Sequence, residues 1–203
     1  MIKLTQSSPI TRGVSALACL LAAAVAVGGV GTTAASAASS SCGYSASPVF
    51  AAWTDTSLYT PFQGSGFENG ASGWSWGNKA NVVSGANSGL AGSGSHAVNI
   101  PASGTAKSPW LCVDATTPSL RFMIRRVSGT GKLTVNGAIS GGTKLSTTVS
   151  VMSGTSTWQP SPIVVFPEQF TTSSTLKAQF LFVADPGSVY QIDDVYLDPF
   201  RCC

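Results

Sequence analysis

Charge and histidine are what this chain has least of: eight Asp and Glu, eleven Lys and Arg, and one His among 203 residues. With so few cations, and no basic stripe among them, the electrostatic footprint of a nucleic-acid or anionic-membrane binder is missing. The one local group, Arg121, Arg125 and Arg126, reads as a solvated strand face rather than a phosphate site. The lone His96 leaves no His-x-x-His spacing for zinc, and no Gly-x-Ser-x-Gly elbow surrounds any serine. His96 reads as a satisfied structural residue rather than a base, and the chain as a non-enzyme. Helical periodicity is missing too: beyond residue 37, no stretch of ten or more residues carries a convincing amphipathic pattern.

What is present begins with an export signal. Lys3 and Arg12 precede an uncharged run from Val14 to Val30, and small residues ending in Ala35-Ser36-Ala37 form a cleavage site. Residues 1–37 therefore read as a signal peptide, and the mature chain as secreted or envelope-associated, without a membrane anchor. Cys19 leaves with the signal; Cys42, Cys112, Cys202 and Cys203 stay, and an even count in an exported chain reads as two disulfides. Three pairings exist. Ring strain disfavours a bond between the adjacent Cys202 and Cys203, so geometry favours each pairing with Cys42 or Cys112. In the alternative, Cys42 bridges Cys112 and the terminal pair is extra, strained or available to link two copies as a dimer.

The dominant period is two. Leu120, Phe122 and Ile124 alternate with Arg121, Met123 and Arg125; Leu133 and Val135 with Lys132, Thr134 and Asn136; Leu176, Ala178, Phe180 and Phe182 with Lys177, Gln179 and Leu181. Glycine-bearing turns such as Asn136-Gly137 and Asp185-Pro186-Gly187 separate them. Eight or nine short strands with evenly spaced turns imply an all-β fold, an antiparallel β-sandwich of jelly-roll type. The sandwich is assigned to residues 64–203. Residues 38–63 form an apolar extension clasped onto it and tied by Cys42, with Phe50 and Trp53 packed underneath; alternatively, its aromatics form an exposed ligand platform.

Acid is concentrated in two places, Glu68 within Gly66-Phe67-Glu68-Asn69-Gly70, and Asp193-Asp194 within Ile192-Asp193-Asp194-Val195-Tyr196-Leu197. Adjacent acids in an apolar strand repel unless a cation sits beside them, and Ca²⁺ takes carboxylate and backbone oxygens. These segments, with Gly73-Trp74, Ser93-Gly94-Ser95-His96-Ala97-Val98 and Trp158-Gln159-Pro160 between them, resemble the landmarks of calcium-containing carbohydrate-binding modules with a galactose-binding-like jelly roll, in order over residues 65–199. The chain is still more similar to a group of small exported actinobacterial proteins of no established function. They share Phe50-Ala51-Ala52-Trp53-Thr54-Asp55, Ser108-Pro109-Trp110-Leu111-Cys112-Val113 and the Asp193-to-Pro199 ending.

That resemblance implies a bridge between Cys42 and Cys112, and a structural calcium held by Glu68 and one of Asp193 or Asp194. Strand alternation places Asp193 and Asp194 on opposite faces, so one of them, Asp193, is favoured as direct ligand. It also implies structural roles for Trp74 and Trp158; Trp76, sharing Trp74's face, follows it inward. Trp110 and Tyr59 are left as exposed candidates for stacking on a sugar, with Asn78, Asn81 and Gln179 as polar partners. Two functions are expected from this: a non-catalytic module for a polysaccharide or cell-wall glycan, or a structural or adhesive envelope protein without a glycan ligand. A two-carboxylate glycosidase has little support, because the acids that cluster are assigned to the metal.

Overall fold

The computed structural model describes residues 42–61, 63–90, 94–140, 144–149, 156–165 and 175–199. The chain divides into two compact units, residues 1–35 and 36–203, and the fold below is that of the second. Residues 1–37, read above as a signal peptide, and Cys202 and Cys203 lie outside the described residues.

In chain order the strands are β1 (Thr60–Pro61), β2 (Ser75–Gly77), β3 (Asn81–Ser84), β4 (His96–Ile100), β5 (Thr105–Lys107), β6 (Leu111–Val113) and β7 (Ser119–Ser128). Then follow β8 (Leu133–Ile139), β9 (Lys144–Val149), β10 (Gln159–Pro160), β11 (Val164–Val165), β12 (Leu176–Ala184) and β13 (Val189–Asp198). They form two antiparallel sheets. The larger runs β10-β7-β13-β4-β3, with β1 also on β13 and β11 on β7; the smaller runs β2-β5-β12-β8-β9, with β6 also on β12.

Alternation builds the core between them. On β12, Ala178, Phe180, Phe182 and Ala184 are buried while Lys177, Gln179, Leu181 and Val183 face away. On β7, Leu120, Phe122 and Ile124 turn inward, with Leu120 opposite Leu197 and Ile124 opposite Ile192 on β13. Phe122 and Phe182 meet edge to face across the layers, their centroids 5.1 Å apart. Trp74 belongs to this core, packed on Phe67 and Phe182. Trp76 does share its face, but β2 is the sheet's edge strand. Its ring stacks on Trp74 at 5.9 Å and remains 36% exposed, so the expected burial is only half realised.

A second, smaller core lies on the outer face of the larger sheet. Phe50 and Tyr59 from the extension pack on Met123 of β7 and Tyr196 of β13, with Val49, Leu90 and Trp158 alongside. The extension is fixed at three places: the Cys42–Cys112 disulfide, the bridge between Ser47 and Tyr59, and the pairing of Thr60 and Pro61 with Leu197 and Tyr196. Trp53 departs from expectation. A single 3-10 turn, Ala51–Trp53, ends at Thr54 in the left-handed region (φ 64°); it seats Phe50 completely and leaves Trp53 40% exposed against the Phe50 edge.

Candidate functional site

Glu68, in the loop between β1 and β2, reaches the start of β4. Its Oε1 accepts the backbone N–H groups of Ser95 and His96, each at 2.7 Å, and its Oε2 lies 2.9 Å from His96 Nδ1. Partial burial would raise its pKa, but these bonds and the adjacent imidazole hold it down at about 2. The approach requires glycine at 94, where a Cβ would sit 2.6 Å from Oε1. His96 is thus occupied in positioning this loop.

Asp193 and Asp194 do not obey strand alternation. The β7–β13 register slips between Asp193 and Tyr196, and Asp194 takes a positive φ of 48°, so a bulge brings both carboxylates to one residue, Ser88. The Ser88 N–H donates to Asp193 Oδ2 at 3.0 Å, and its hydroxyl donates to Asp194 Oδ2. Asp194 N–H also donates to Asp193 Oδ1 at 2.8 Å. Both residues are 2% exposed. Burial first, and the Asp194 charge second, push Asp193 up to about 7. Asp194 Oδ1 lies 3.4 Å from the place a Cβ would take on Gly66, beneath the loop that carries Glu68. Among the described residues, no three acids, histidines or cysteines are gathered as a metal-holding group. The oxygens present, two carboxylates and a hydroxyl at Ser88, are of the hard type Ca²⁺ prefers.

The residues proposed to meet a ligand are dispersed. Tyr59 is 1% exposed in the second core, where its hydroxyl donates to Asp55; this corrects its reading as a surface platform, because Phe50 covers its ring edge to face at 4.6 Å. Asn78 pins the turn after β2 by donating to Ser103 O at 2.7 Å. Gln179, on the outer face of the smaller sheet, donates to Ser108 O at 3.0 Å. Trp110, close by in sequence to Ser108, is 49% exposed. Gln179 thus reaches the segment that leads to Trp110, while Tyr59 packs on the other sheet.

The arrangement the residues do form elsewhere is a polar row across the outer face of the larger sheet. Asn81 on β3 lies opposite Asn99 on β4, Asn99 opposite Gln191 on β13, and Gln191 opposite Arg125 on β7. Arg125 Nε donates to Gln191 Oε1 at 2.7 Å, Gln191 Nε2 reaches Asn99 Oδ1 at 3.5 Å, and the guanidinium lies 4.9 Å over the Trp158 ring beside β10. Five side chains from five strands or their ends thus line up. Asn81 is exposed and the other four are half-buried. Of these, the sequence points only to Asn81 as a ligand residue; Arg125 reads as solvated surface and Trp158 as structural. The available signal is that Arg125 shares the polar phase of β7 with Arg121, and that Gln191 sits between Tyr190 and Ile192 on β13.

No protein-family model matches the chain, and neither does any curated protein. Among solved structures it is similar to TmCBM61, determined with β-1,4-galactotriose (23% identity, TM-score 0.46, covering 70% of this chain and 97% of that one). It is similar also to the CBM22-1 xylan-binding domain of Paenibacillus barcinonensis Xyn10C (12%, TM-score 0.46, 68% and 93%). A third is CsCBM6-3 of Clostridium stercorarium with cellobiose (13%, TM-score 0.40, 63% and 87%).

Proposed function

We propose that this is a secreted, non-catalytic module that binds polysaccharide along the row from Asn81 to Trp158 and carries a structural Ca²⁺ at the bulge. The row is the observation that supports it. A sugar ring offers hydroxyls around its rim and C–H groups on its face; side-chain amides both donate and accept, and an indole gives the apolar surface beside them. Export agrees with the signal-like leader and with the Cys42–Cys112 bridge. The calcium reading rests on the acid pair. Asp193, Asp194 and the Ser88 hydroxyl would hold the ion, which would offset the repulsion between two buried carboxylates.

Thermal unfolding in Ca²⁺ and in EDTA, with and without soluble neutral polysaccharides, tests both parts, since any ligand of the native state stabilises it. The expected result is a rise with Ca²⁺ and a further rise with a glycan, the second lost in the Asn99→Ala, Gln191→Ala double variant. A glycan-dependent rise that survives that variant would move the site off the row. Indifference to Ca²⁺ would remove the metal.

A further inference from the structure

The chemistry of the row is not that of a neutral-sugar site alone, and we propose that its ligand is an acidic polysaccharide whose uronate carboxylate pairs with Arg125. The inference rests on the glycan-binding reading above and narrows it. Among the described residues Arg125 meets no carboxylate: its Nε is held by the neutral Gln191 amide and its flat face by Trp158. Fixing Nε and the plane of the group in this way orients the terminal nitrogens, which have no hydrogen-bond partner among the described residues. A planar, oriented guanidinium is matched by a carboxylate, which it holds through two parallel charge-assisted hydrogen bonds.

The same strand shows what this fold does with an arginine required only for structure. Arg121, four residues earlier on the same face, is paired with Asp55, the Tyr59 hydroxyl and Ser161 O. Among the described residues, one of the two guanidinium groups is thus compensated by an acid and the other faces an amide and an indole. The number of cations in the row also has meaning. A polymer charged at every unit, such as a sulfated glycan, calls for a run of cations, whereas this row offers one between three amides and an indole. Its four inter-strand spacings of ~4.8 Å span about 19 Å, enough for several sugar rings. The ligand that fits is a mostly neutral chain bearing occasional uronic acid, its carboxylate over Arg125 and its neighbours' hydroxyls over Asn81, Asn99 and Gln191.

Calorimetric titration of the protein with a glucuronic-acid-substituted xylan, with the same xylan after carboxyl reduction, and with dextran sulfate tests this. The expected result is binding about tenfold tighter to the uronate form than to the reduced form, the scale of one good charge-assisted pair. Arg125→Gln should erase that difference, the affinities for the two xylans becoming equal, while leaving the circular dichroism spectrum intact. Arg125→Lys should keep only part of it. Equal affinity for the two xylans would overturn the acidic ligand and leave the glycan-binding module standing. Equal or tighter binding of dextran sulfate would reduce the effect to general polyanion attraction and overturn it as well. Absence of binding to any of the three would bring down both readings.

Discussion

Arg121 and Arg125 lie on one strand and one face, yet they occupy two different surfaces. Around Arg121 the outer face of the larger sheet is roofed: Phe50 packs its ring 4.9 Å from the guanidinium carbon, Tyr59 and Asp55 receive its donors, and Met123 and Tyr196 lie below. Around Arg125 no such roof is found among the described residues, and the neighbours there are an amide and an indole. The difference comes from the extension, whose aromatic residues reach the row of Arg121 and of Met123 and stop there. One half of the face has become interior, where a cation must find an acid because an unpaired buried charge is expensive. The other half keeps polar side chains. Partial access to solvent lets it hold a cation whose partners among the described residues are neutral.

Removing each arginine should separate the two halves most clearly. Arg121→Gln leaves Asp55 half-buried without its cation, and the loss expected is about 3 kcal/mol of unfolding free energy by denaturant titration. A loss below the scale of a surface substitution would show the roof to be superficial. A smaller effect should appear on acidification. Burial works to raise the Asp55 pKa, but hydrogen bonds from Tyr59 and Ser57 and the Arg121 charge outweigh it and hold the carboxyl below its ordinary 3.8. A depressed folded-state pKa contributes stability that is present above 3.8 and lost as pH falls through the lower folded value, so Asp55→Asn should flatten the acid limb of the stability profile. If wild type and variant show the same acid limb, Asp55 is not holding the roof. Least of all should stability respond to Arg125→Gln. It forfeits one hydrogen bond and one cation–π contact, together less than about 1 kcal/mol at a solvent-facing site; a larger cost would make Arg125 structural after all.

How much of this was legible in the sequence depended on range. The strands β7, β8 and β12 announce themselves through strict alternation, and their inward residues are those expected. In the extension only Phe50 packs as expected, while Trp53 and Tyr59 exchange the places expected of them; the Cys42–Cys112 pairing was legible from resemblance. Trp53 could not be placed, because a single left-handed residue, Thr54, decides which aromatic turns inward. The bulge at Asp194 escaped for a similar reason: alternation is a rule for regular strand, and one residue of positive φ reverses which face an acid meets. The polar row was the least legible. Asn81, Asn99, Arg125 and Gln191 become neighbours only through three inter-strand registers, one of which joins residues 66 positions apart.

The disulfide crosses from one sheet to the other. Cys42 opens the extension that roofs the larger sheet, while Cys112 belongs to β6 of the smaller one, and 70 positions separate them. Mechanically the bond is a shortcut. For a stretching force entering ahead of residue 42, the covalent path runs through two sulfur atoms into β6 and bypasses the enclosed segment, from the roof through β5. Asn81 and Asn99 lie in that bypassed portion. A molecule pulled along its length would keep two of the row's five side chains off the covalent load path, and the contour hidden in the loop would be released only by a reductant.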